Sequence, residues 1–106
     1  MELISMPYEM IITEDAQNDI DEYVDTIIHT FCAPMTAKKH RDEIFNTLRE
    51  IRKNPTAFSV RTSASLLRYG YNVRRANFKK MAIIYTIHGS TVYIHRVVAA
   101  SMITDS

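Results

Sequence analysis

Four cations crowd the stretch NVRRANFKK at 72–80: Arg74, Arg75, Lys79 and Lys80. Tyr69, Tyr71 and Phe78 flank them, and the apolar run MAIIYTI (81–87) follows at once. Cations interleaved with aromatics on adjacent strands form a surface that can neutralise phosphates and stack bases. Cleavage of RNA without a metal needs a base for the 2′-hydroxyl proton, cations for the charge developing on phosphorus, and an acid for the leaving 5′-oxygen. Arg74, Arg75 and Arg96 are candidate catalytic cations, and His95 is a candidate base or acid near neutral pH. Arg61, Arg68, Tyr71, Lys79 and Lys80 are the candidates for holding RNA. Each has a plainer reading: a charge run often pairs with acids elsewhere in the fold, and a long cationic side chain often covers apolar surface as an anchor.

The charge distribution sharpens the question. Residues 1–53 carry 11 carboxylates against 6 Lys/Arg, a net −5, while residues 54–106 carry 7 Lys/Arg against Asp105 alone, a net +6. Such asymmetry points to a polyanion partner better than the overall net charge of +1 does, because the surface field depends on where charges lie. Between Asn54 and Thr104 there is no Asp or Glu, so a paired-carboxylate or two-carboxylate metal site cannot be built within the basic half. The four His (29, 40, 88, 95) lack zinc-type spacing, and no P-loop, GxSxG or GxGxxG motif is present. The expectation is a protein without metal or cofactor.

These side chains need a scaffold. A chain of 106 residues, 46% hydrophobic, suits one domain spanning 1–106 with a modest core. One cysteine, Cys32, excludes an intramolecular disulfide; its place in a helical pattern predicts a small buried thiol. No apolar run approaches membrane-spanning length and the start MELISMPYEM has no basic leader, so a soluble cytoplasmic protein is expected.

YEMIIT (8–13), with Pro7 ahead of it, reads as a first strand. Thr13 then caps a helix with Glu14 and Asp15 in its first turn and a buried stripe of Ala16, Ile20, Tyr23, Val24, Ile27, Ile28 and Phe31; Asp15, Asp19, Glu22 and Asp25 fall on the solvated side. After Pro34, Thr36 caps a second helix running to about Lys53, with Ala37, Ile44, Leu48 and Ile51 facing inward. So short a link predicts an antiparallel helical hairpin. Residues 56–70 read as a loop with one short turn or helix near Ala64–Leu67. Three strands follow at about 71–76, 81–87 and 91–98, the last two joined by a tight turn at His88-Gly89-Ser90. Alternation in the last strand puts Tyr93, His95 and Val97 on one face and Val92, Ile94, Arg96 and Val98 on the other. The class is α+β: an N-terminal strand, a helical hairpin, then a three-stranded antiparallel meander, forming one antiparallel sheet with the hairpin on one face.

This order of elements, with LLRYGYNVRRANFKKMAIIYTIHGSTVYIHRVV (66–98), resembles the RelE/ParE superfamily of toxins from bacterial type II toxin–antitoxin pairs. The signals are the acidic TEDAQNDI helix start, the hairpin ending in NP, and GY before a basic strand. The resemblance implies a toxin that inhibits growth and a cognate antitoxin as partner; a homodimer is compatible with it. RelE-like members cleave mRNA on the ribosome without a metal, and that is the first expectation here; the alternatives are inhibition of DNA gyrase, as by ParE-like members, and a toxin-like domain that only binds an antitoxin. The resemblance makes Arg74 or Arg75 the basic residue at the scissile phosphate, with Lys79 and Lys80 beside the RNA. Arg96 resembles the Arg in the "RV" of the family's last strand. RelE-like enzymes carry a further Arg, and often a Tyr, near the C-terminus; here VVAASMITDS follows, with no Arg, Lys, Tyr or His after Arg96. His95, Tyr93 or Tyr71 would have to substitute, or the protein has no nuclease activity.

Overall fold

A computed structural model describes residues 8–103; Pro7 and Asp105, named above, lie outside them. The element order is β1 (Glu9–Ile12), α1 (Glu14–Phe31), α2 (Pro34–Lys53), a 3-10 turn at Pro55–Ala57, α3 (Ala64–Leu67), β2 (Arg74–Phe78), β3 (Met81–His88), β4 (Thr91–Ala99) and a 3-10 turn at Ala100–Met102.

Thr13 starts α1 as its sequence position predicts. Its Oγ1 accepts from the Ala16 backbone N–H at 3.2 Å and donates to the His95 carbonyl at 3.2 Å, so one hydroxyl caps the helix and ties it to β4. The helix ends at Cys32, which adopts the left-handed conformation (φ 50°) and donates its N–H to the Ile27 carbonyl. That termination corrects two expectations. Cys32 is exposed instead of buried, and Phe31 is 68% exposed, because both sit where the chain turns away from the sheet. The second helix also begins earlier than expected: Ala33 is its N-cap and Pro34 opens it, a position where the missing N–H costs nothing, so Thr36 lies inside the first turn and caps nothing.

The four strands form one sheet in the order β1-β4-β3-β2. The meander β2-β3-β4 is antiparallel as expected, whereas β1 pairs with β4 in parallel, so the sheet is mixed. Parallel pairing follows from topology: the chain leaves β1 into the helical hairpin and returns only after both helices, free to join from either end. The first meander strand begins at Arg74 instead of residue 71, because Gly70 (φ 134°) and Asn72 (φ 61°) hold a turn there that no strand accommodates. Gly89, at φ 60°, makes the two-residue link between β3 and β4.

The principal core lies between hairpin and sheet: Ala16 and Ile20 of α1, Ile44, Leu48 and Ile51 of α2, and Ile83, Tyr85, Val92, Ile94 and Val97 beneath them. A second cluster of Leu66, Val73, Ala82 and Ile84, joined by Tyr69, Ala100 and Ile103, covers part of the opposite sheet face. Strand β3 is therefore buried on both sides, which is why MAIIYTI shows no alternation.

One irregularity decides the site. Ile84 pairs with Arg96 but Tyr85 pairs with Ile94, leaving His95 as an extra residue in β4, a β-bulge. The bulge reverses the alternation, so Val97 joins Val92 and Ile94 in the principal core. The two-face assignment read from the sequence holds through His95, which stays on the face of Tyr93, and fails from Arg96 onward for that reason.

Candidate functional site

The site grows from the bulge on the sheet face turned away from the helical hairpin. Thr86 of β3 is buried, and its Oγ1 lies 2.8 Å from His95 Nε2 and 3.0 Å from His88 Nε2. A hydroxyl has one proton to give, so it donates to one imidazole and accepts from the other. The His95 ring packs against Tyr69 at 5.4 Å and stacks with Tyr93 at 6.4 Å, while His88 meets Tyr93 edge-on at 5.2 Å. Burial, aided by nearby His88, lowers the His95 pKa and keeps the ring neutral at physiological pH. Arg68 completes the group: its guanidinium lies 4.8 Å over the Tyr69 ring and donates to the Tyr69 hydroxyl at 2.6 Å.

Arg96 belongs to this group and to the scaffold at once. Its Nε and a terminal nitrogen donate to Asp19 at 2.7 and 2.9 Å, a bidentate pair, and the Val97 backbone N–H donates to the same carboxylate at 2.9 Å. The Asp19 hydrogen bonds raise the Arg96 pKa further above its ordinary value, against a smaller effect of burial, and Tyr69 adds to the rise. The bulge thus brings the consecutive residues His95 and Arg96 both to Tyr69. Asp19, expected on the solvated side of α1, is instead a half-buried acid that accepts three hydrogen bonds from β4.

The other sequence candidates scatter. Arg74 turns toward the helical side, where its guanidinium donates to the carbonyls of Thr56 and Phe58 and holds the loop after α2 against β2. Tyr85, its partner across the ladder, donates to the Pro55 carbonyl at 2.6 Å, and burial pushes its hydroxyl up to about 12 despite Arg74 nearby. Arg75 donates from Nε to Asn77 Oδ1 at 2.9 Å. Arg61 joins the β2 edge through its backbone N–H, which donates to Val73 O at 2.7 Å. Lys79, at the β2–β3 turn with φ 53°, pairs with Glu43 at 2.5 Å; this bond lowers the Glu43 pKa. Lys80 is exposed in the same turn, and Tyr71 is 87% exposed between Gly70 and Asn72. Arg96 and Lys79 therefore pair with acids of the first half, while Arg68 and Tyr71 stay at the surface.

The residues that sequence reasoning missed are Asp19, Tyr69, Thr86 and His88. A bulge leaves no local signature, so the convergence of residues 69, 86, 88 and 95 was hidden in the sequence. Among the described residues no group of three or more His, Cys, Asp or Glu could hold a metal ion, and no helix is long and apolar enough to cross a membrane. Chemically, the face offers stacked aromatics, a neutral imidazole held at Nε2, and guanidinium groups bonded to neighbours. It is built to hold a shape.

An α+β domain with a helical hairpin on one face of a four-stranded sheet, and an aromatic and cationic opposite face, has the architecture of the RelE/ParE toxins. The family model for the ParE toxin of type II toxin-antitoxin systems, parDE, matches residues 10–104, and the chain belongs to this family of toxins. No curated protein sequence matches it. Among solved structures it is similar to the chromosomal ParDE toxin–antitoxin system of P. aeruginosa, with a TM-score of 0.70, 17% identity and coverage of 87% of this chain and 95% of that one. A toxin–antitoxin complex, RelBE2 of Mycobacterium tuberculosis, follows at TM-score 0.57 and 17% identity, covering 89% and 99%. A copper-bound mutant toxin from Helicobacter pylori has TM-score 0.53 and 12% identity, covering 92% and 99%. At these identities the solved structures establish the shared fold.

Proposed function

We propose that this toxin arrests growth as ParE-like members do, by inhibiting DNA gyrase, without cleaving RNA. The observation that carries the reading is the commitment of the arginines a nuclease would need. Arg74 is bonded to two loop carbonyls and Arg96 to both oxygens of Asp19, so neither side chain can swing to a phosphate without breaking the fold's own bonds. A match to the ParE family model supports the same choice. The target puts the toxin in the cytoplasm.

A cognate antitoxin is the partner. The groove between α1 and the end of β4, about 290 Å³ and lined by Tyr23, Thr26, Met81, Val98, Ala99 and Met102, suits the apolar face of an amphipathic helix. Asp19, Glu22 and Arg96 at its rim would orient that helix by charge. RNA cleavage keeps one observation in its favour: the neutral His95 packs on Tyr69, the ring that the Arg68 guanidinium lies over, so a proton acceptor and a stacking ring share one face.

Two assays separate the readings: plasmid supercoiling by gyrase with the purified protein, and mapping of transcript 5′ ends in cells during its induced expression. Inhibited supercoiling with no new 5′ ends is the expected result. New in-frame cuts that disappear in His95→Ala, with supercoiling untouched, would overturn it.

A further inference from the structure

The split of charge between sequence halves conceals a sharper one between the two helices. Helix α1 carries six carboxylates and no Lys or Arg, whereas all six Lys/Arg of residues 1–53 lie on α2, against Asp42, Glu43 and Glu50. At about 100° per residue, Lys38, Arg41, Phe45, Arg49 and Arg52 fall within an arc of about 80°, a continuous stripe some 21 Å long. Glu43 and Glu50 lie on the other flank of the helix, and Asp42 is the acid at the stripe's edge. All four cations are exposed and Phe45 is half-buried between them.

Local contacts order this surface. The Arg41 guanidinium lies 4.9 Å over the Phe45 ring, Arg49 donates to Asn46 Oδ1, and Arg52 donates from Nε to the Tyr8 carbonyl at 2.7 Å. Between Arg41 and Arg49 is an open hollow of about 480 Å³, lined also by Asp42, Phe45 and Asn46. The cations form two pairs, 38/41 and 49/52, whose centres are about 16 Å apart along the helix at 1.5 Å per residue. That spacing fits phosphates on the two strands flanking a major groove about 12 Å wide.

We propose that the outer face of α2 is a binding surface for the phosphate backbone of duplex DNA, independent of the gyrase reading. Charge complementarity selects the partner. A duplex carries one negative charge per about 1.7 Å of its axis, so the whole stripe meets anions at once, and release of condensed counterions drives binding. The contacts are to phosphates, so binding is independent of base sequence.

The test is fluorescence anisotropy of the full-length protein with a labelled 20-base-pair duplex of arbitrary sequence, over a series of salt concentrations. Four phosphate contacts predict a slope of log K against log salt of about −3.6. Arg41→Ala/Arg49→Ala removes two, which predicts a slope of about −1.8 and, at about 0.1 M salt, affinity roughly 60-fold weaker. Arg41→Lys/Arg49→Lys keeps the charge and is expected to keep the slope; circular dichroism and thermal melting verify that both variants fold. Equal DNA affinity for wild type and folded alanine variant would overturn the proposal. So would binding of a polyglutamate peptide but not of the duplex, or self-association abolished by the alanine variant without DNA binding, since these assign the stripe to an acidic protein or a second copy.

Discussion

The junction of Arg96 with Asp19 offers the most demanding test, because one pair serves both the scaffold and the candidate site. Three hydrogen bonds converge on Asp19 at 2.7–2.9 Å, and the side chains are 31% exposed for Arg96 and 11% for Asp19. A buried charge-assisted hydrogen bond contributes about 1.5–3 kcal/mol, and a surface ion pair under about 1 kcal/mol. A pair buried on one side only falls between, so Asp19→Asn, which keeps the shape and loses the charge, is expected to cost about 2–3 kcal/mol. For a domain of this size that corresponds to a melting point lower by roughly 10–15 °C. Arg96→Met is expected to cost a similar amount. The double variant should cost little more than either alone, giving a coupling energy of about 2 kcal/mol in a double-mutant cycle by urea denaturation. A melting point for Asp19→Asn within about 3 °C of wild type, or additive single effects, would refute the claim that Arg96 is held by Asp19.

Tyr85→Phe is expected to lose about 1–2 kcal/mol in urea denaturation, since the Pro55 carbonyl loses its partner inside the core. In the wild type, stability should fall as pH rises through 10 towards 12, because the unfolded chain releases the Tyr85 proton near 10 while the folded chain holds it to about 12. His95 works at the other end: its folded pKa lies below 6.5, so its contribution is complete above that value and is lost as pH falls through it. His95→Gln should flatten thermal stability measured across pH 4–7, and an unchanged profile would count against the half-buried imidazole. Cys32, exposed at the helix end, should react fully with a thiol reagent in the native protein; protection until unfolding would contradict its placement. Gly70→Ala should cost about 1 kcal/mol or more in thermal melts, since a side chain at φ 134° is strained even with the nearest neighbour 3.6 Å away.

Much of this molecule was legible in its residues. Apolar spacing marked both helices, Thr13 marked the start of α1, Gly89 the tight turn, and the unbroken apolar run a strand buried on both faces; these are local or periodic signals that survive in any fold satisfying them. The order of elements and the motifs at 66–98 also pointed to the toxin superfamily. The sequence alone was silent where distant groups had to meet. Nothing near residue 19 announces that its carboxylate leaves the polar flank of α1 to receive Arg96 and the Val97 N–H, 77 and 78 residues on. Nothing near residue 95 announces the extra residue that turns His95 and Arg96 to the same tyrosine. Summing charge by halves located a basic segment but hid the cationic stripe on α2, because halves are a property of the chain and stripes of the helix it forms. Periodicity and capping are set by neighbours along the chain. Register, bulges and the pairing of buried charge are set by which strand and helix lie against each other, and that only the packed structure decides.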